Sequence, residues 1–135
     1  MFPERVHYSR ADGVSWPIKD WETANQLLGY LNPTRNHFVI FELPDHSYIQ
    51  CLGSKTALTV ECREFRSNGS FSHWVFGKGP LTGTTETVGP ETSEVSVDAS
   101  QILAMRDARV LIRQFLETRT FSDRYTRTDV SSKFL

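Results

Sequence analysis

The fold of this chain is decided by the stretch Glu94–Phe121, EVSVDASQILAMRDARVLIRQFLETRTF. In its first part Val95 and Val97 alternate with polar residues, which predicts a short strand with one buried face. The remainder predicts one long amphipathic helix, which Asp98 or Ser100 can cap because a short side-chain oxygen accepts a free first-turn N–H. The apolar side of this helix, expected to pack on a core, consists of Ala104, Met105, Ala108, Leu111, Ile112, Phe115 and Leu116.

Two apolar residues of the same stretch do not fit this side. Leu103 and Val110 fall on the polar side of the predicted helix, together with its arginines. We expect Phe121 or Tyr125 to fold back over them, since large apolar side chains are usually covered. The alternative is that they contact a partner.

The preceding part of the chain combines one helix with several strands. Asp20 can cap a first helix, which Asn32–Pro33 ends. Four apolar strand patterns follow, at residues 37–43, 48–52, 57–65 and 71–77, and Asn68–Gly69 indicates a tight hairpin between the last two. A polar loop, Lys78–Ser93, leads to the strand at Glu94. These elements predict an α+β fold, an antiparallel meander of about five strands with an N-terminal and a long C-terminal helix packed on it.

Composition and charge limit the classes of function. A chain of 135 residues is expected to form one domain over residues 1–135, and its formal net charge of −1 argues against binding nucleic acid. No apolar run has the length of a membrane span or the pattern of a signal peptide. Cys51 and Cys62 lie in strand patterns and are predicted to be reduced, half-buried core residues. We therefore expect a cytoplasmic protein without a membrane partner.

The residues that usually carry chemistry do not form a recognisable site in the sequence. The four histidines lie in separate segments without metal-ligand spacing, and the two cysteines are too far apart for a C-x-x-C motif. The glycine-rich segment 77–84 lacks the order of a phosphate-binding loop, and Pro80 removes one N–H that such a loop would use. Glu61 and Glu64 point to opposite strand faces, so they cannot form an acid–base pair on one surface. We expect no catalytic, cofactor-binding or metal-binding residue, and a protein that is not an enzyme.

Aromatic and charged residues are unevenly placed. Phe71 and His73 share one face of the predicted sheet, and Trp74 and Phe76 share the other. The face of the sheet that the last helix leaves uncovered is either covered by the first helix and the termini or exposed for recognition. Residues 79–105 contain four acidic and no basic residues, whereas residues 106–135 contain seven basic and four acidic ones. Such faces are either two binding surfaces or solvated surface.

The order of the segments also carries a resemblance, over about residues 20–128. The early helix ends in a leucine-rich turn, an apolar strand and an acidic-aromatic turn follow, and the last helix begins after a Gln-Ile pair and ends on Phe-Leu-x-Thr. The positions concerned are Leu27, Leu28, Tyr30, Leu31, Phe38, Val39, Ile40, Phe41, Asp45, Tyr48, Ile49, Gln50, Val60, Glu61, Val97, Gln101, Ile102, Ala108, Phe115, Leu116 and Thr118. This pattern resembles a family of small immunity proteins from bacterial polymorphic toxin systems, commonly found beside toxins with a cytidine-deaminase-like fold. The family typically follows the last helix with a Pro and then a Trp, which residues 120–135 lack.

The resemblance implies a cytosolic antitoxin that is monomeric when free and binds one secreted toxin in a one-to-one complex. It would occlude the active site of the toxin, for example a nucleic-acid deaminase, and needs no catalytic residue of its own. Acidic residues could take the place of phosphates, so Glu86 and Glu91 of the loop are the candidate charged contacts. Trp74 or Phe76 is the candidate aromatic anchor.

Two other readings remain open at this point. One is a small enzymatic or ligand-binding α+β domain with a pocket on the sheet. A deep polar pocket in which His37 or His73 faces a carboxylate would favour this function. The other is a small secretion adaptor or chaperone.

Overall fold

The computed structural model describes residues 1–91 and 94–135. In these ranges the chain forms two α-helices and nine strands, with short 3-10 turns at Ala99–Gln101 and Ser131–Phe134. The helices are α1 (Trp21–Leu28) and α2 (Met105–Glu117). The strands are β1 (Val6–Arg10), β2 (Ser15–Ile18), β3 (Phe38–Glu42), β4 (Tyr48–Gly53), β5 (Leu58–Phe65), β6 (Phe71–Gly77), β7 (Thr85–Val88), β8 (Val95–Asp98) and β9 (Thr126–Asp129).

Seven strands form one antiparallel sheet in the order β2-β1-β3-β4-β5-β6-β9, and β7 and β8 form a separate hairpin. The predicted combination of helices with an antiparallel sheet is therefore confirmed, as are the four central strands. The expected number of about five strands is wrong. The strand after Glu94 pairs with β7 outside the main sheet, and α1 is preceded by two strands rather than starting the fold.

Sequence patterns missed four strands, β1, β2, β7 and β9. Of these, β2 and β9 form the edges of the main sheet, and β7 lies within the segment Lys78–Ser93 that was predicted to be a loop. β2 contains Pro17, which an edge strand tolerates because its outer backbone groups need no partner in the sheet. β9 is largely exposed and carries no apolar alternation. In β1 only Val6 and Tyr8 are buried, too few for a clear strand pattern.

Both helices pack on the same face of the sheet. Alternation along the strands turns one set of side chains inward, where the buried faces of α1 and α2 join them in one core. The inward side chains are Val6, Tyr8, Val39, Phe41, Ile49, Cys51, Val60, Cys62, Trp74 and Phe76. The predicted apolar side of α2 is confirmed from Met105 to Leu116, and only Ala104, which precedes the helix, is half-buried.

The start of α2 differs from the prediction. Asp98 caps the 3-10 turn Ala99–Gln101 rather than α2, and the chain then runs extended to Ala104. There Leu103 and Leu58 exchange two backbone hydrogen bonds of 2.8 and 2.9 Å. The carboxylate of Asp107 instead accepts a hydrogen bond of 2.9 Å from the Ala104 N–H at the start of α2.

This start explains the two apolar residues that did not fit the helix. Leu103 is not part of α2 and is buried in the core. Val110 lies on α2 and is 38% exposed. Tyr125 lines the same surface cavity as Val110, but Phe121 packs elsewhere, with its ring 4.7 Å from Phe76 and 6.2 Å from Phe115 between centroids.

The two cysteines are more buried than predicted. Cys51 and Cys62 are fully buried, unpaired thiols on the inward face of the sheet. Burial raises the pKa of both thiols well above the ordinary range, because a thiolate is poorly solvated there. Both act as small core residues rather than as reactive groups.

Neither helix within the described ranges combines the length and the apolar character that a membrane crossing requires.

Candidate functional site

The acidic part of the chain forms an exposed hairpin. β7 and β8 pair over four residue positions, from Thr85 opposite Asp98 to Val88 opposite Val95. Glu86 on β7 is exposed, as are Glu91 and Glu94 near the turn. In the described ranges, none of these three glutamates has a basic side chain within 4.0 Å. We call β7, β8 and the residues between them that the structure describes the acidic hairpin.

The base of the acidic hairpin is fixed by Asp98. Its carboxylate accepts hydrogen bonds from the backbone N–H groups of Thr82 (3.0 Å), Gly83 (2.8 Å) and Ser100 (2.9 Å). The hydroxyl group of Ser100 donates a further bond of 2.6 Å. The bond from the Ser100 hydroxyl and the N–H donors hold the pKa of Asp98 well below its usual range. The glycine-rich segment thus directs its amides at a carboxylate of the protein itself.

The hairpin is also anchored to the sheet. The N–H of Lys78, directly after β6, donates to the carbonyl of Ser100 at 2.8 Å. Within the hairpin, the N–H of Ala99 donates to the carbonyl of Thr84 at 2.8 Å. At the end of β4 a Cβ on Gly53 would lie 2.7 Å from Cγ1 of Val88, so the hairpin contacts the sheet closely there. Glu86 therefore projects from a strand whose base and far end both contact other parts of the molecule.

The predicted aromatic anchors do not lie on the surface. Trp74 and Phe76 are both buried, because β6 turns them inward toward the helices. Phe121 and the guanidinium of Arg127 cover Trp74 further, at 6.3 and 5.3 Å from its ring centroid. Neither ring therefore lies on the surface, where a partner anchor would have to lie, whereas Glu86 is exposed.

The opposite face of the sheet is only partly covered. Because α1 shares the core with α2, the expectation that the first helix covers this face is wrong. The C-terminal turn Ser131–Phe134 covers one end, as expected for a terminus. Of the other outward side chains, Leu52, Thr59 and Val75 are buried. Those that are half-buried include Ile40, Glu42, Tyr48, Gln50, Glu61, Arg63 and Phe71.

This face contains a histidine–carboxylate pair that the sequence analysis missed. His73 Nε2 lies 2.8 Å from Oε1 of Glu61, and Nε of Arg63 donates to His73 Nδ1 at 3.1 Å. With Nδ1 accepting from Arg63, Nε2 is the ring nitrogen that faces the carboxylate of Glu61. The Asn68–Gly69 hairpin could have revealed this pairing, because it fixes the register that sets Arg63 opposite His73.

Neighbouring side chains shield the histidine–carboxylate pair from solvent. The guanidinium of Arg63 lies 4.1 Å from the ring centroid of Phe71 and 4.4 Å from that of Phe134. Phe134 also packs on His73, with 4.6 Å between ring centroids. The side chain of His73 is 4% exposed and that of Glu61 is 22% exposed. The pair can position the C-terminal turn, but it offers little surface to a ligand.

The other histidines lie apart from this pair. His7 is exposed and bonds Ser15, and His37 packs edge-on against Phe38. His46 occupies the turn between β3 and β4 with a φ of 75°. Throughout residues 1–91 and 94–135, no three His, Cys, Asp or Glu side chains come together as a metal ion would require.

Comparison with known proteins adds no family to this description. No family model matches the chain, and no curated protein matches it in sequence.

Proposed function

We propose that this protein is an immunity protein, an antitoxin that binds one secreted bacterial toxin in the cytoplasm and occludes its active site. The observation that carries the proposal is the acidic hairpin, whose exposed carboxylates lack basic partners in the described ranges. The resemblance of the segment order to an immunity-protein family supports it. The complex is one-to-one, and the free protein is a monomer.

The physical basis of the proposal is charge complementarity. A toxin that acts on nucleic acid, such as a deaminase, needs a cleft that attracts phosphates, and the carboxylates of Glu86 and Glu91 can occupy the same positive potential. The Asp98 bonds order the hairpin before binding, so less conformational entropy is lost when the complex forms. Long-range attraction should also raise the association rate.

A co-expression assay tests this function. The natural candidate toxin is the C-terminal module of a large protein encoded by a neighbouring gene. Cells producing that module should survive when the wild-type chain is co-expressed. The variant Glu86→Lys/Glu91→Lys should protect them less, because each reversal replaces an attraction with a repulsion.

A matched control distinguishes the effect of charge on the hairpin from the effect of the net charge of the protein. Glu22→Lys/Glu117→Lys changes the net charge by the same amount on exposed positions of α1 and α2. This variant should protect like the wild type. If neither variant loses protection although the wild type protects, the hairpin is not the inhibitory contact; if the wild type does not protect, the antitoxin proposal fails.

A second candidate function, a small enzymatic or ligand-binding domain, would rely on the histidine–carboxylate pair, in which Glu61 is the more accessible side chain. In that case Glu61→Gln would abolish the activity, because the amide cannot accept a proton from His73. An immunity protein should keep its protection in the same variant, since the amide oxygen can still accept the His73 hydrogen bond. The protection assay with Glu61→Gln therefore discriminates between the two functions.

A further inference from the structure

A basic cavity of about 470 Å³ lies where α2 meets the C-terminal segment. Its lining combines three cationic side chains, one carboxylate, one phenol and one exposed apolar side chain. These residues are Lys78, Arg106, Asp107, Val110, Arg124 and Tyr125. We call it the Arg106 cavity; it is separate from the acidic hairpin contacts and from the histidine–carboxylate pair.

A buried carboxylate organises this cavity. The side chain of Asp107 is only 4% exposed, and both of its carboxylate oxygens have hydrogen-bond or ion-pair partners. It accepts hydrogen bonds from the Tyr125 hydroxyl at 2.9 Å and the Ala104 N–H at 2.9 Å, and it pairs with Nζ of Lys78 at 3.1 Å. Burial acts to raise the pKa of Asp107, but the bonds from Ala104, Lys78 and Tyr125 outweigh burial and keep that pKa below its ordinary value. Lys78 and Tyr125 are thereby held in fixed positions on the wall.

The two arginines of the cavity are not neutralised in this way. Arg106 and Arg124 are both exposed, and within the described residues neither has a carboxylate within 4.0 Å. With Lys78 paired to Asp107, the cavity keeps two positive charges in excess. Like charges facing one concavity repel each other, and a bound anion would relieve that repulsion.

We propose that the Arg106 cavity binds the phosphate group of a small phosphate monoester. A monoester carries a charge of about −1.5 to −2 at neutral pH, which matches the excess of the cavity. Guanidinium groups bind phosphate oxygens through paired, charge-assisted hydrogen bonds. The volume is within the usual range for small-molecule sites, and Val110 supplies an apolar wall for the organic part of the ester. The proposal does not depend on the antitoxin function.

Titration followed by two-dimensional ¹H–¹⁵N NMR tests it on the full chain, with phenyl phosphate as the probe. Saturable shifts should appear at Lys78 and in the first turns of α2. Arg106→Gln and Arg124→Gln should each weaken the binding by about tenfold, as expected when a charge-assisted contact is lost. The matched control is Arg109→Gln, one turn along the same helix but outside the cavity, which should leave the affinity within about twofold of the wild type.

Further probes separate phosphate monoesters from other sources of negative charge. Acetate and phenyl sulfate, which carry a single charge, should bind more weakly than phenyl phosphate. The proposal is overturned if phenyl phosphate causes no saturable shift, or if Arg109→Gln weakens binding as much as Arg106→Gln. Tighter binding of a single-stranded oligonucleotide than of phenyl phosphate would also overturn it, since the surface would then bind a nucleic-acid backbone. The unchanged spectrum outside the cavity shows that each variant is folded.

Discussion

Gly53 ends strand β4 where the backbone leaves no room for a side chain. Its φ is +131°, and a Cβ there would lie 2.5 Å from the carbonyl oxygen of Ala57. Gly53→Ala should therefore lower the free energy of unfolding by about 2–4 kcal/mol, as strain and close contact add. Gly69→Ala is the control, because its φ of +86° is also left-handed but its Cβ would meet no atom within 4 Å.

Chemical denaturation of both glycine variants provides the measurement. Gly69→Ala should cost only about 1–2 kcal/mol, the cost of a left-handed residue with a side chain. Equal losses in the two variants would show that the close approach between β4, Ala57 and the hairpin is not as tight as described.

Tyr125 makes the stability sensitive to alkaline pH. Burial and the hydrogen bond to Asp107 raise the pKa of Tyr125 to about 12, compared with about 10 for a free tyrosine. A raised pKa in the folded state means that its contribution is fully present below about pH 10 and is lost as the pH rises toward about 12. Tyr125→Phe should cost about 1–3 kcal/mol at pH 8, and the difference from the wild type should narrow at pH 11.

Denaturation of wild type and Tyr125→Phe at the two pH values checks this prediction. The comparison cancels the titration of other tyrosines and of the buried cysteines, which both proteins share. A difference that stays constant from pH 8 to pH 11 would mean that the Tyr125–Asp107 bond does not form.

At the scale of elements, α2 is the main support of the core. Phe115 is fully buried on its inward face, with its ring stacked at 6.2 Å from that of Phe121. Phe115→Ala should cost about 3–5 kcal/mol, a large part of a typical domain stability of about 5–15 kcal/mol. Val110→Ala on the same helix is the control and should cost less than about 1 kcal/mol, because Val110 is partly exposed. A loss below about 1 kcal/mol for Phe115→Ala in urea denaturation would exclude the described packing of α2.

The sequence predicted those helices and strands whose own apolar residues recur with a clear helical or strand period. The apolar side of α2 and strands β3 to β6 follow from side-chain periodicity, and Asn68–Gly69 located the β5–β6 turn. The edge strands β2 and β9 could not be predicted in this way, because their conformation depends on pairing with a distant neighbour. The prediction that Asp98 caps α2 was wrong for a local reason. The carboxylate of Asp98 instead accepts hydrogen bonds from the 3-10 turn, at Ser100, and from the glycine-rich segment, at Gly83.

The candidate site was predicted only in part. A cluster of acidic residues in a polar segment correctly indicated exposed carboxylates at Glu86 and Glu91. Alternation in β6 separated Trp74 and Phe76 from Phe71 and His73, but it could not tell which face the helices cover. That choice depends on long-range packing of α1 and α2. From the sequence alone, Trp74 and Phe76 therefore remain candidates for a surface anchor, although β6 turns both into the core.

At the scale of the whole molecule, the sheet edges are poor surfaces for self-association. β2 carries Pro17, and the short β9 carries the exposed charges of Arg127 and Asp129. Such features oppose edge-to-edge pairing of sheets. Light scattering at micromolar concentration should therefore give the mass of a monomer, and a stable homodimer would contradict this prediction.

We propose that the acidic hairpin binds the toxin through its negative charge. A binding titration of the purified toxin module with wild type and Glu86→Lys/Glu91→Lys, at two salt concentrations, tests it most directly. Circular dichroism should show that the double variant is folded, because both positions are exposed and outside the core. We expect the double variant to bind more weakly, and we expect salt to lower the affinity of the wild type more than that of the variant. Equal affinity and equal salt dependence in a folded variant would show that the acidic hairpin is not the interface and would place it on another surface.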